Sequence, residues 1–159
     1  MKSILAVIAA VAVGALVFAA PARADDRAVV ESFYTLLSSL TAADIAGRAS
    51  KVMAPNWESI GDYSGAKKTK DQFVQQLQGF AKLMPDLKWA VQEIIQQGNR
   101  FVVRGRATGT PNGPFFGVPA SGKSFDIMSI DIHTVENGLI VRSYHVEDWG
   151  TALRQLSAK

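Results

Sequence analysis

Residues 125–146 read FDIMSIDIHTVENGLIVRSYHV, and they carry the clearest structural signal in the chain. Apolar and polar side chains alternate from Phe125 to Val135, which is the period of a half-buried β-strand. Asn137-Gly138 is a dipeptide that tight two-residue hairpins prefer, and Leu139 to Val146 then predicts a second strand. The stretch therefore predicts an antiparallel hairpin.

Further strands are predicted upstream of this hairpin. Residues 88–96 also alternate, Gly98-Asn99 marks a turn, and Phe101 to Val103 continues as a strand. A loop rich in Gly and Pro, from Gly109 to Gly122, separates them from the hairpin. The second half of the chain is therefore expected to form an antiparallel sheet.

The first half has the helical period instead. Apolar residues recur at helical spacing from Asp26 to Leu40, and a second, shorter helix begins near Thr41. Thr69 and Gln72 have capping-box spacing at the start of a third helix, which Pro85 ends. Residues 55–68 are predicted to be irregular, and residues 149–156 to form a short closing helix. Helices followed by an antiparallel sheet indicate an α+β fold.

The N-terminus has the three parts of a secretory signal peptide. Lys2 provides the positive start, an apolar run of 17 residues follows from Ile4 to Ala20, and Ala22-x-Ala24 is a small-residue cleavage site. We expect cleavage after Ala24, leaving a periplasmic or secreted domain over residues 25–159 without stable membrane insertion. An uncleaved membrane anchor is the alternative, because the run is just long enough to span a bilayer.

Composition excludes several classes of protein. A chain of 159 residues has room for one core, and the absence of cysteine excludes disulfides, thiol catalysis and zinc fingers. The net charge is +3, and removal of Lys2 and Arg23 with the signal peptide lowers it to +1. A nearly neutral mature chain is a poor candidate for binding nucleic acid.

Three segments, taken together, resemble one family. They are Pro85-Asp86-Leu87-Lys88-Trp89, the run from Val102 to Lys123 with its Gly-Thr turn and Gly-Pro loop, and the run from Asp131 to Leu156. These segments are similar to the SnoaL-like polyketide cyclases and ester cyclases of the nuclear-transport-factor-2-like superfamily. The resemblance implies a cone-shaped barrel: three N-terminal helices on a curved, mostly antiparallel sheet, enclosing a pocket.

The resemblance also implies chemistry. It suggests proton transfer without a cofactor, leading to cyclisation or isomerisation of a small apolar carbonyl compound. Asp148 occupies the family's acid/base position at the end of the last strand, and His133 is a candidate neutral donor beside it. Asp148 is equally well placed to cap the helix that begins at Trp149. The two roles differ in sign, because burial raises a carboxyl pKa and capping lowers it.

Four residues are candidates for substrate binding. Arg104 lies on the strand that resembles the family's arginine strand, although an exposed sheet face would also explain it. Tyr144 shares strand parity with Asp148 and is expected on the pocket side. Trp57 and Phe116 are aromatic residues that either floor the pocket or belong to the core.

The two histidines are expected in different environments. His133 shares parity with Ser129 and Asp131, so this polar row either faces solvent or lines a polar cavity. His145 has the parity opposite to Tyr144 and is expected at the surface or an interface. A metal site would need both imidazoles on the same face of the sheet, and the sequence has no recognised spacing of metal ligands. We therefore expect no metal, and the chemistry that the resemblance implies needs no cofactor.

Three functional hypotheses follow from these observations. The first is an exported proton-transfer enzyme, and the second is a non-catalytic periplasmic protein that binds an apolar or aromatic ligand. Export favours the second, because polyketide cyclases act on cytoplasmic intermediates. The third is a structural or assembly role. We also expect a homodimer through the outer sheet face, since an exposed apolar face tends to be covered.

Overall fold

The computed structural model describes residues 24–158, and the side chains of residues 26–158. The predicted signal peptide therefore lies outside the described residues except for Ala24, where the first helix begins. The helices are α1 (Ala24–Leu37), α2 (Ile45–Ser50), α3 (Lys70–Leu83) and α4 (Trp149–Ser157). None of the helices in this part of the chain has the length and hydropathy needed to cross a membrane.

Within residues 24–158, six strands form one curved sheet. They are β1 (Met53–Ile60), β2 (Lys68–Thr69), β3 (Lys88–Gln97), β4 (Arg100–Gly109), β5 (Phe125–Glu136) and β6 (Leu139–Glu147). Their order is β2-β1-β6-β5-β4-β3, and only the β1–β6 pair is parallel. The sheet is not closed, because β2 and β3 are its edges. The prediction of an α+β fold with N-terminal helices on a mostly antiparallel sheet is confirmed.

The β5–β6 hairpin has the predicted turn. Asn137 and Gly138 have φ angles of 53° and 75°, which is the left-handed geometry that a two-residue hairpin turn requires. Phe125, Ile127 and Val135 are buried on one face of β5, so this face packs against the helices. We call it the inner face, and the opposite side of the sheet the outer face.

Strand β1 corrects the prediction that residues 55–68 are irregular. It pairs with β6 in parallel, and its register shifts between Met53 and Glu58. Pro55 lies within that shift, where its missing N–H costs no regular ladder bond. Nothing local in the sequence signals this strand, because its partner lies near the other end of the chain.

The helices cover the inner face. In α3, the Gln72 backbone N–H donates to Thr69 Oγ1 at 3.3 Å, while Gln72 Oε1 accepts from the Thr69 N–H at 2.9 Å. This capping box sets where α3 begins and places its apolar side, with Leu77, over the sheet. A cavity remains between α1, α3 and the sheet.

Candidate functional site

The cavity has a volume of about 260 Å³ and a mostly apolar wall. Helices α1 and α3 contribute aromatic and aliphatic side chains, and the inner face of the sheet contributes the polar ones. Its lining residues of most interest are Trp57, Ser59, Lys68, Gln76, Trp89, Phe116, Asp131, Ser143, His145 and Glu147.

The polar wall is built from neighbours on β5 and β6. Directly opposite residues in an antiparallel pair project to the same face, with Cβ atoms about 5 Å apart. Three such pairs lie in succession on the inner face: Ser129 with Glu147, Asp131 with His145, and His133 with Ser143. The hairpin register therefore gathers two imidazoles and two carboxylates beside one apolar cavity.

Asp131 is the buried carboxylate of this wall. Its Oδ2 accepts hydrogen bonds from the Tyr34 hydroxyl at 2.9 Å and the Ser129 hydroxyl at 3.4 Å. Among the described residues no group bonds to Oδ1, so this oxygen is available to a ligand in the cavity. Burial raises the pKa of Asp131 to about 7, and the nearby Glu147 carboxylate acts in the same direction.

A chain of hydrogen bonds leads to Asp131 from the far side of the wall. Because Tyr34 donates its proton to Asp131, its oxygen must accept from His133 Nε2, at 3.0 Å. Burial lowers the pKa of His133 to about 3, so the ring is neutral and Nδ1 accepts from the Ser143 hydroxyl at 2.8 Å. Ser143 Oγ in turn accepts from Trp57 Nε1 at 3.0 Å. Every donor in this series of hydrogen bonds therefore has an acceptor.

His145 and Glu147 form the second titratable pair of the wall. His145 Nδ1 lies 2.8 Å from Glu147 Oε1, and this hydrogen bond raises the pKa of the half-buried imidazole. The ring packs closely against the backbone of Gly61, where an added Cβ would lie 3.3 Å from Nε2. The hydrogen bond to Glu147 therefore favours the protonated form of the imidazole that lies next to Asp131.

Two of the predicted substrate-binding residues line the cavity. Trp57 is buried in its floor. Phe116 is 64% exposed and adopts a left-handed φ of 46°, with its ring 6.0 Å from that of Trp149 between centroids. His133 is fully buried but does not line the cavity, so it contacts Tyr34 and Ser143 rather than a ligand.

The expectation of a buried base at Asp148 is corrected. The side chain is exposed and caps α4, where Oδ1 accepts from the Thr151 N–H at 2.9 Å and Oδ2 from the Thr151 hydroxyl at 2.6 Å. These bonds from Thr151 lower the pKa of Asp148, as capping predicts. Asp148 is absent from the cavity wall.

The expected positions of Arg104 and Tyr144 are also corrected. Both side chains are on the outer face, where Arg104 Nε lies 3.3 Å from Glu93 Oε2 and Tyr144 pairs with Ile132 across the strands. Tyr144 and His145 lie on opposite faces of β6, as their parity predicts, but the cavity is on the side opposite to the one expected. His145, expected at the surface, therefore lies on the cavity side.

Sequence reasoning missed several residues of the wall. The row Ser129, Asp131, His133 had a usable signal, because polar residues alternate there with apolar ones, but parity alone does not say which face is buried. Tyr34 stands in an ordinary amphipathic helix, so nothing marked it. In the part of the chain that the structure describes, no group of three or more His, Asp or Glu side chains is arranged to hold a metal ion.

Comparison with known proteins points to one family. The family model for SnoaL-like polyketide cyclases matches residues 31–156. TsrD from Streptomyces laurentii is 22% identical, with a TM-score of 0.73, over 87% of this chain and 98% of that one. IdmH from Streptomyces antibioticus, a proposed polyketide cyclase, is 25% identical, with a TM-score of 0.72, over 84% and 99%. No curated protein sequence matches the chain.

Proposed function

Because the chain belongs to the SnoaL-like polyketide cyclase family, we propose that its cavity binds a small apolar carbonyl compound and transfers a proton on it. The reaction is a cyclisation or isomerisation, and it uses no cofactor. The observation that carries this proposal is Asp131, a buried carboxylate with one oxygen held by Tyr34 and Ser129 and the other available to a ligand.

Asp131 is the base in this reaction. Its Oδ1 takes the proton from a carbon next to a carbonyl, and the electron pair of the broken C–H bond forms the enolate. In a cyclisation the enolate carbon then attacks a second carbonyl of the same molecule, and Asp131 returns the proton to the oxygen of that carbonyl. In an isomerisation Asp131 returns the proton to a different carbon. A pKa of about 7 suits both steps, because the group can accept and donate a proton near neutral pH.

The neighbours of Asp131 support this role. Tyr34, oriented by His133, holds Oδ2 and therefore fixes the direction of the carboxylate. The imidazole of His145 lies opposite Asp131 on β6, and its raised pKa favours the charged form beside the position where the enolate develops. Trp57 and Trp89 supply flat apolar surface for the body of the ligand.

Hydrogen–deuterium exchange tests the proposal directly. We expect the protein to accelerate exchange at the carbon next to the carbonyl of 2-tetralone in D2O, followed by NMR. Asp131→Asn should lower the acceleration at least about 100-fold, the usual contribution of a general base. Asp148→Asn is the matched control and should leave the rate unchanged. Loss of the acceleration in Asp148→Asn, with Asp131→Asn active, would contradict the assignment.

A non-catalytic binding protein is the second candidate. The exposed position of Asp148, which occupies the family's acid/base position, favours it. The same experiment separates the candidates, because a binding protein would take up 2-tetralone, as seen by line broadening, without accelerating the exchange.

We further propose that the protein is exported and acts in the periplasm or outside the cell. Residues 1–24, with their charged start and apolar run, support this location. Mass spectrometry of the protein purified from its native host should find Asp25 as the first residue. An intact N-terminus in the membrane fraction would show an anchored protein instead.

A further inference from the structure

The cavity has a second polar side, formed by β2 and α3. Lys68 in β2 and Gln76 in α3 both line the cavity and are half-buried. Lys68 Nζ donates to Gln76 Oε1 at 2.5 Å. Ser59, the partner of Lys68 across β1 and β2, adds its hydroxyl to the same side.

Local structure holds Lys68 in this place. Its backbone pairs with Ser59, and the next residue, Thr69, is the N-cap of α3 with its complete capping box. The side chain therefore leaves a fixed point on the sheet edge and extends into the cavity, where its Nζ lies 5.9 Å from the centre of the Phe73 ring.

Lys68 makes no ion pair with any of the residues that the structure describes. Among the described residues no carboxylate lies within 4.0 Å of its Nζ, whereas Lys67, its neighbour, pairs with Glu58 at 2.7 Å. Glu147, the carboxylate that also lines the cavity, is bonded to His145. Burial lowers the pKa of Lys68, although the charge on Glu147 opposes this. Lys68 is therefore a half-buried amine whose nearest carboxylate on the cavity wall, Glu147, is bonded to another residue.

An ammonium group has three donors and an amide nitrogen has two. Lys68 uses one donor on Gln76, and the Gln76 amide nitrogen makes no hydrogen bond within the described residues. Both groups line the cavity and therefore have N–H groups left for a ligand, while Asp131 and Glu147 on the β5–β6 wall are acceptors. The cavity has a donor side and an acceptor side.

We infer that Lys68 and Gln76 bind a carboxylate group of the ligand, so that the substrate is an acidic carbonyl compound with an apolar body. The carboxylate lies on the Lys68 side, and the reacting carbon lies at Asp131. Lys68 and Asp131 are on strands three positions apart in the sheet order, about 14 Å before curvature. The Lys68 side chain spans part of this backbone separation, which leaves room for a bicyclic aromatic body between the two ends. The inference deepens the proposed function, and it rests on that function only for the carbonyl group at Asp131.

A pair of isosteric probes tests the carboxylate site. We expect the wild type, titrated calorimetrically at neutral pH, to bind 2-naphthoate at least about tenfold more tightly than 2-naphthamide, the usual gain from a charge-assisted hydrogen bond. Lys68→Met should weaken 2-naphthoate binding about tenfold and leave 2-naphthamide binding unchanged. Lys67→Met, which removes an exposed lysine one residue away, should keep the preference.

A second variant guards against a folding defect in Lys68→Met. Gln76→Glu leaves Lys68 in place but supplies it with a carboxylate, so it should also abolish the preference for 2-naphthoate. Equal binding of the two probes by the wild type, binding of neither, or a preference that survives in both Lys68→Met and Gln76→Glu would overturn the inference.

The result is separable from the test of the proposed function, because it measures binding and needs no turnover. The Asp131→Asn variant should retain the preference for 2-naphthoate. A retained preference in a protein that does not accelerate the exchange of 2-tetralone supports the carboxylate site and rejects the enzyme. Exchange dependent on Asp131 in a protein without the preference rejects the carboxylate site alone.

Discussion

The hydroxyl oxygen of Tyr34 lies 2.9 Å from Asp131 Oδ2 and 3.0 Å from His133 Nε2. One phenol of α1 therefore joins two successive inward positions of β5. Burial raises the pKa of Tyr34 further above its ordinary range, so the hydroxyl keeps its proton and donates it to Asp131. The consequence is a carboxylate with one restrained oxygen and one available oxygen.

Removing this hydroxyl should affect both stability and the pKa of Asp131. Tyr34→Phe leaves His133 Nε2–H without an acceptor, which should lower the free energy of unfolding by about 1–3 kcal/mol in urea denaturation. The Tyr34 hydrogen bond lowers the pKa of Asp131, so its loss should move the midpoint of the pH–rate profile for 2-tetralone exchange above about 7. Tyr144→Phe, on the outer face, is the control and should change neither.

Asp131 should impose a particular pH dependence on stability. Its pKa is about 7 in the folded protein and near the ordinary value of about 3.9 when unfolded, so between these values the folded state binds more protons. Its contribution therefore makes the protein less stable as the pH rises from about 4 to about 7. The free energy of unfolding of Asp131→Asn minus that of the wild type should rise through this range, by up to about 4 kcal/mol, and then level off.

The contribution of His133 runs in the opposite direction. Its lowered pKa makes stability fall as the pH decreases below about 6.5, but this effect is present in both proteins and cancels in the difference. Denaturation at a series of pH values measures the difference. A value that stays constant from pH 4 to 8 would mean that Asp131 is not a buried acid.

Asp148 should behave as a helix cap. Asp148→Ala removes the acceptor of the Thr151 N–H and should lower the free energy of unfolding. Asp148→Asn should cost little, since Asn caps about as well. Neither change should alter the affinity for 2-naphthoate in calorimetric titration, and a large loss of affinity would place Asp148 at the ligand after all.

Phe116 should contribute to binding but not to stability. It lines the cavity, yet it is 64% exposed and has a φ of 46°, a conformation that costs a side-chain residue about 1 kcal/mol. Phe116→Gly relieves this cost and removes the ring. We expect unchanged or higher thermal stability together with weaker binding of 2-naphthoate. Unchanged affinity would show that the ring does not contact the ligand.

The outer face should mediate dimerisation. Ile95, Met128 and Val146 are 59%, 56% and 61% exposed on this face, which makes it an apolar surface. We propose that it pairs with a second copy, and sedimentation at high micromolar concentration should find a dimer. Val146→Glu should shift the protein toward monomer, while Arg27→Glu on α1 should not. A wild-type protein that stays monomeric would contradict the proposal.

Much of the fold was predictable from short-range pattern. The alternation around Asp131, the Asn137-Gly138 turn and the Thr69 capping box each involve residues within a few positions of one another, so local physics decides them. Strand β1 was not predictable, because its parallel pairing with β6 joins distant segments.

The candidate site was likewise predictable only in part. The sequence by itself determined that Ser129, Asp131 and His133 share a face of one strand, because the strand period of two requires it. Only the tertiary structure decided that this face is the buried one, because α1 and α3 pack on it and exclude water. Packing also brought Tyr34 to Asp131, and the register of the β5–β6 hairpin brought His145 opposite it. The burial of a residue depends on what packs around it, so the family resemblance pointed to Asp148, whereas the folded chain buries Asp131 and raises its pKa.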